Sequence, residues 1–400
     1  MGFAANKPPI WPVAPDWSEG VQETLSWSTE VLRGDATALS VHTGLRLGPR
    51  RSLSFRILAG AREKRVAAML LAGHSGQWLL PVWPDVQCLP ATVTAGDVNI
   101  ACDTAGRDFV AGGQALLYTD VTTWEAVDVA SVTGSQLQLT APVSAAVAAG
   151  ARLYPLRLAR LQGDAEETHL SDDVSRRTLT FNIRGASEWP SLTASTLYLG
   201  HPVLTVRPDE STDPASTLER LLKSVDYGSA QPFVHDISKL ALRTQQSHWK
   251  LFGRDEHTWF RSLLYTLEGR GNPVWVPSWA ADLKPLFSVP SNSTTLQVEW
   301  AGYTLYGLGR PNRRDLRIEL QDGTVLYRRI IDATAASAVE TLMLDQPLAN
   351  TAIPAARIRM ISFLALCTLA SDDIELQHIT DADGVATVTT GWSEVVPDAA

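Results

Sequence analysis

A chain of 400 residues exceeds what one hydrophobic core usually serves, so two or more domains are expected. It is 45% hydrophobic and 19% charged with a formal net charge of −9, a balance that argues against a nucleic-acid-binding surface, because phosphate contacts need clustered Lys and Arg. No apolar run approaches the roughly 20 residues that span a bilayer, and residues 1–10 lack the features of a secretory signal. Three widely spaced cysteines, Cys88, Cys102 and Cys367, read as reduced thiols of a protein folded in a cytoplasm.

Taken in chain order, alternation of apolar and polar residues predicts strands at 39–47 and 52–57. Arg62 and Glu63 open a helix over 61–73, which leads through a turn into Pro81-Val82-Trp83. Further alternating runs lie at 134–140, 151–161, 178–183 and 195–199. The polar, proline-bearing stretch 207–216 reads as a linker between a first unit, 1–206, and a second, 217–400. A helix is expected at about 214–225, with Asp213 as N-cap, Pro214 in the first turn and Leu218, Leu221, Leu222 and Val225 as its apolar stripe. Another spans 254–268. There Trp259, Phe260, Leu263, Leu264 and Leu267 share one face, Arg254, Asp255, Arg261 and Glu268 fall outside it, and Gly269 is placed to end it. Pro273-Val274-Trp275 follows, then strands at 295–300 and 315–320.

Laid side by side, these elements repeat. Arg62-Glu63 matches Arg254-Asp255 and Pro81-Val82-Trp83 matches Pro273-Val274-Trp275, both at a separation of 192 (254 − 62 and 275 − 83). Val41-His42 matches Val234-His235, Pro142 and Arg152 match Pro347 and Arg357, and His169 matches His378. The growing separation implies about 13 extra residues in the second copy (205 − 192), expected between 280 and 312. A repeat kept in order is the signature of a duplicated unit. The fold class expected is α+β, mainly antiparallel β: two tandem homologous units, each a β-sandwich or barrel-like sheet with a covering amphipathic helix.

Chemistry is sparse. Gly73-His74-Ser75-Gly76 lacks the last glycine of a nucleophile elbow and falls at a helix-to-strand turn. Asp381-Ala382-Asp383-Gly384, like its counterpart Ser171-Asp172-Asp173, reads as a turn rather than a calcium loop. The histidine pairs His42/His235 and His169/His378 suggest a shared structural role rather than a metal site. Arg310, Arg313 and Arg314 read as a solvated loop. No catalytic residue, metal or cofactor is expected, and the chain is read as no enzyme. The specific local features are Pro81, Trp83, Pro273, Trp275 and Trp279, expected as core anchors under the helix or as subunit contacts.

The order Arg-acid, amphipathic helix, Gly269-Arg270-Gly271 and Pro273-Val274-Trp275-Val276-Pro277-Ser278-Trp279 resembles minor tail proteins of long-tailed, non-contractile (siphovirus-like) bacteriophages. So does Leu117-Tyr118-Thr119-Asp120, then Leu137-Gln138-Leu139 with Pro142-Val143, then Gly150 to Arg157. The resemblance implies a tail-tip or baseplate component near the distal tail or hub proteins, assembled in the host cytoplasm. It implies self-association in a ring, as a trimer with pseudo-sixfold symmetry or a hexamer, and contacts with tail tube, hub and central fibre. The alternative is a carbohydrate- or receptor-binding module of the virion, with Trp17, Trp189, Trp300 and Trp392 as stacking candidates.

Overall fold

Period-two burial organises most of the chain, and the computed structural model describes residues 8–34, 39–185, 188–192, 196–228, 231–382 and 384–396 of it. β1 (Val21–Ser26) buries every second residue, as a strand with one face on a core must. β2 (Thr29–Arg33) and β3 (Ser40–Gly44) form a hairpin arm, and β4 (Arg50–Ala59) resumes the alternation and leads into helix α1 (Ala61–Gly73). β5 (Gln77–Pro81) and β6 (Gln87–Cys88) precede a small sheet of β7 (Asn99–Ala101), β8 (Gln114–Asp120), β9 (Thr123–Thr133) and β10 (Gln136–Leu139). β11 (Arg152–Gln162), β12 (Glu167–His169) and β13 (Ser175–Ile183) end this half.

All its ladders are antiparallel. β1, β4, β13, β11 and β5 pair in that order, while the start of β11 pairs with β8, which continues through β9 and β10 to β7. Two cores result: Trp11, Phe55, Trp78, Trp83 and Phe181 pack with Ala67 of α1, and Ile100, Leu117, Val127 and Leu137 fill the small sheet.

The short strands β14 (Leu197–Tyr198) and β15 (His201–Pro202) lead into the second half. It contains β16 (Ser216–Val225), β17 (Phe233–Leu251), α2 (Gly253–Leu267), β18 (Val274–Pro277), β19 (Thr295–Glu299) and β20 (Asp315–Leu320). β21 (Val325–Ala336), β22 (Val339–Leu344), β23 (Ile358–Leu369), β24 (Asp373–His378) and β25 (Ala386–Glu394) complete it. The pairings of the first half recur: β16, β17, β25, β23 and β18 in order, with β23 beside β20, then β21, β22 and β19. Even single contacts recur. Ala59 stands opposite Ser175 as Leu251 stands opposite Ala386, and the parallel bridges Ile10–Leu79 and Val203–Trp275 occupy the same place.

Sheet register corrects four details of the sequence reading. Val82 N donates to Pro155 O and Ser278 N to Phe363 O, both at 2.9 Å, so Pro81 corresponds to Pro277 and Trp83 to Trp279, not to Pro273 and Trp275. The slip arises because α2 has 15 residues against 13 in α1, and its exit turn uses left-handed Glu268 (φ 52°) and Gly269 (φ 69°). The extra residues are accordingly spread over several turns. The separation is 196 at Pro81/Pro277 (277 − 81), 201 at Gln114/Asp315 (315 − 114) and 208 at Leu156/Leu364 (364 − 156).

The helix expected at 214–225 is strand β16. A bulge between Arg220 and Leu222 breaks the strand's alternation, and the resulting leucine spacing imitates a helical stripe, while pairing with β17 decides the conformation. Finally, Val203 and Leu204 pack in the second half's cores, so that half begins ahead of the expected linker. Stretch 207–216 lies along it, with Asp209 N donating to His248 O at 2.8 Å. Among the described residues, no helix is long and apolar enough to cross a membrane.

Candidate functional site: a buried ionic seam

The halves meet along a continuous ladder. β1 of the first half pairs antiparallel with β24 of the second, Val21 opposite His378 through Ser26 opposite Asp373. Because β1 also pairs with β4, one sheet runs through both halves. Leu25 and Trp27 leave the first half to enter the second half's core, where Trp27 meets Tyr265 edge-on at 5.7 Å. The β2–β3 arm lies on the second half as well. Thr29 donates through N and Oγ1 to Asp372 at 2.8 and 2.9 Å, and His42 Nδ1 approaches Arg270 O at 2.6 Å.

Behind the ladder lies a cluster of charges. Glu23, 1% exposed, accepts from Arg51 Nε at 2.5 Å and from His378 Nε2 at 2.9 Å, and faces Arg261 Nη2 at 3.1 Å. Asp85 faces Arg254 at 3.1 Å and takes the backbone N–H of Asp108 at 3.2 Å. Asp108 in turn accepts from Arg51 Nη1 at 2.5 Å and from Arg157 Nε at 2.9 Å. Glu23, Asp85 and the residues round Asp108 come from the first half, Arg254, Arg261 and His378 from the second.

Burial would raise the Glu23 carboxyl, but the Arg261 and Arg51 guanidiniums outweigh it and hold it well below its usual range. The same competition, won by Arg51 and Arg157, lowers Asp108. His257 stands 5.2 Å from His378 between ring centres. Burial, then His378 and Arg261, push it well below the usual histidine value, against the weaker pull of Glu23.

Glu23, His257 and His378 place one ligand atom each within 4.8 Å of one another. Glu23 already serves two guanidiniums, however, and a divalent ion here would lie among Arg51, Arg254 and Arg261 with too few carboxylates to offset their repulsion. The arrangement is better suited to locking the halves than to binding a cation.

Its acid sensitivity has a definite sign. His257 binds its proton far more weakly folded than unfolded, so unfolding takes up a proton below about pH 6.5, and stability is lost as pH falls through that value. Denaturant unfolding should show stability falling between pH 7 and pH 5 in the native chain and falling less in His257→Gln; equal slopes would contradict the assignment.

The sequence candidates fall elsewhere. Trp83, Trp275 and Trp279 are 0%, 2% and 7% exposed, core anchors with no face left for a partner; Pro81 is buried and Pro273 half-buried. Trp275 donates through Nε1 to Tyr198 O at 2.8 Å, and the Arg317 guanidinium lies 4.9 Å over Trp279. His74 and Ser75 lie in the turn after α1, where His74 Nε2 contacts Gln77 O at 2.8 Å. Asp383 lies outside the described residues, while Asp381 pairs with Arg152 at 3.1 Å.

Of the stacking candidates, Trp392 is fully buried, Trp17 packs against the first core and Trp189 lies under Arg261 at 4.3 Å. Only Trp300 among the four is exposed, at 46%. Arg314 is tied to Asp315 at 3.5 Å rather than free in solvent. The histidine pair His169/His378 keeps equivalent places in β12 and β24, but only His378 is buried.

What sequence reasoning missed is the charge cluster. Arg261 was expected on the solvated face of its helix, yet it is 1% exposed because the first half covers that face. No signal in the sequence marked it: the apolar residues of α2 gather on one face, and Arg261 falls outside that face. The chain matches no protein-family model and has no significant similarity to a curated protein.

Proposed function

We propose that this chain is a structural component of a bacteriophage tail tip or baseplate, built from one duplicated unit and forming a ring that joins the tail tube to the distal tip. The observation that carries this reading is the seam. An edge of one half meets a different edge of the other, a head-to-tail contact. Such contacts, repeated between copies, close into rings or run on as filaments, whereas self-complementary contacts stop at pairs. Three copies would present six similar units to a sixfold tube and a threefold tip; six copies would present twelve.

The motif resemblance to minor tail proteins supports the same reading, as does a largely buried charge cluster that joins the two halves. Light scattering of the purified chain should give a mass at least three times the 43.5 kDa of one copy, and an antibody raised against it should decorate the far end of the tail in particles made by the genome that encodes it. A chain that remains at single-copy mass when concentrated, with no label on the tail, contradicts the proposal.

A further inference from the structure

The internal seam has an open counterpart at each end of the continuous sheet. Glu23 of β1 stands opposite Leu53, and Ser216 of β16 stands opposite Gln245, each at the same place in a strand that runs into the helix of its half. The start of β16 is therefore the equivalent of β1. Likewise His169 of β12 stands opposite Ser175, and His378 of β24 opposite Ala386, so β12 is the equivalent of β24. β1 and β24 pair with each other. β16 pairs only with β17 and β12 only with β13 among the described residues, which leaves one edge of each without a strand.

The helices carry the same asymmetry. α2 is covered on its outer face by the first half, and His257 and Arg261 are buried there. At the equivalent places on α1, Arg65 is exposed and Met69 is 76% exposed. The arms are apolar in both halves. The β2–β3 hairpin is anchored on the second half through Thr29 and His42 while keeping Leu32 (63%) and Val41 (64%) exposed, and its equivalent, the outer part of β16 and β17, exposes Leu218 (60%), Phe233 (66%) and Val234 (54%), with Tyr227 at the tip (87%). An unpaired strand edge is a template for another chain, and a contiguous exposed apolar patch marks a contact surface.

We propose that β16 of one copy adds to β12 of the next, its arm lying over α1 of that copy, so that the internal seam is repeated between chains. The inference rests on the assembly reading above and names the surfaces that would carry it. Ser216 and Met69 stand where Glu23 and Arg261 form the internal lock, so the contact between copies lacks that central ion pair and is reversible where the internal one is permanent.

The register of β1 on β24 sets the test. Gln22 faces Gln377, and the corresponding residues are Ala215 and Thr168. Directly opposed strand residues have Cα atoms about 4.5–5.5 Å apart, within reach of a disulfide. In a Cys88→Ser background, which removes the exposed native thiol, chains carrying Ala215→Cys should be mixed with chains carrying Thr168→Cys under mild oxidation.

The expected result is a mixed covalent dimer in at least tenfold greater yield than from Thr168→Cys mixed with Ser337→Cys, a tip residue outside the proposed contact. The double variant should give covalent rings. An assembly of several copies with no such cross-link would overturn the β16–β12 contact while leaving the assembly reading intact. A chain that stays monomeric when concentrated would overturn both.

Discussion

Replacing Glu23 with alanine should lower the stability of the chain by about 3–5 kcal/mol, as expected when one partner of a buried ion network is removed. Glu23 accepts from Arg51 and His378 and faces Arg261. Arg51, Arg261 and Glu23 itself are all at or below 3% exposure. Without the carboxylate, two guanidiniums remain in a low-dielectric interior with reduced compensation, which is far more unfavourable than losing a surface pair. Glu23→Gln keeps the shape but not the charge and should recover only a small part of the loss. Glu19, half-exposed beside Arg56, supplies the control: Glu19→Ala should change stability by no more than about 0.5 kcal/mol. Urea unfolding at pH 7 compares them directly. A loss below about 1 kcal/mol for Glu23→Ala would mean that the seam does not hold the halves together.

Trp83→Ala should be comparably severe, about 3–5 kcal/mol. Trp83 is fully buried, with Tyr154, Tyr118 and Phe55 edge-on at 5.0, 6.3 and 6.4 Å. Removing it empties the centre of the first core, and a sheet laid between β4 and β11 cannot collapse into the space without breaking ladders. Trp300→Ala, at a residue 46% exposed, should stay within about 1 kcal/mol. Calorimetry of the two variants separates a core anchor from a surface aromatic; equal effects would contradict the packing described.

The fold was legible where local pattern and tertiary environment agree. β4 and β13 alternate because one face of each meets a core, whereas β20 alternates in sequence but is buried on both faces, and α1 ends at Gly73 as its spacing predicts. Legibility failed where partners decide. β16 carries a leucine spacing that suits a helix, and only β17 makes it a strand. Arg261 looks solvated until the first half covers it.

The seam itself was not legible. Glu23 and His378 lie 355 residues apart, and a single charged residue in an alternating strand gives no sign of whether water or another half faces it. The repeat was visible, but its register was not. Two Pro-Val-Trp triplets attract the eye, while the hydrogen bonds of Val82 and Ser278 set the correspondence four residues further on.

One relation between units is closed inside the chain, at β1 and β24, and left open at the two outer edges of the same sheet, β12 and β16. The most direct measurement is an electron-microscopy reconstruction of the purified assembly. It should show a closed ring in which first and second halves alternate under nearly equal rotations, with β12 and α1 of each copy covered by β16 and its arm from the neighbour. Copies joined in two-fold pairs through like surfaces, or a ring that leaves β12 bare, would contradict it.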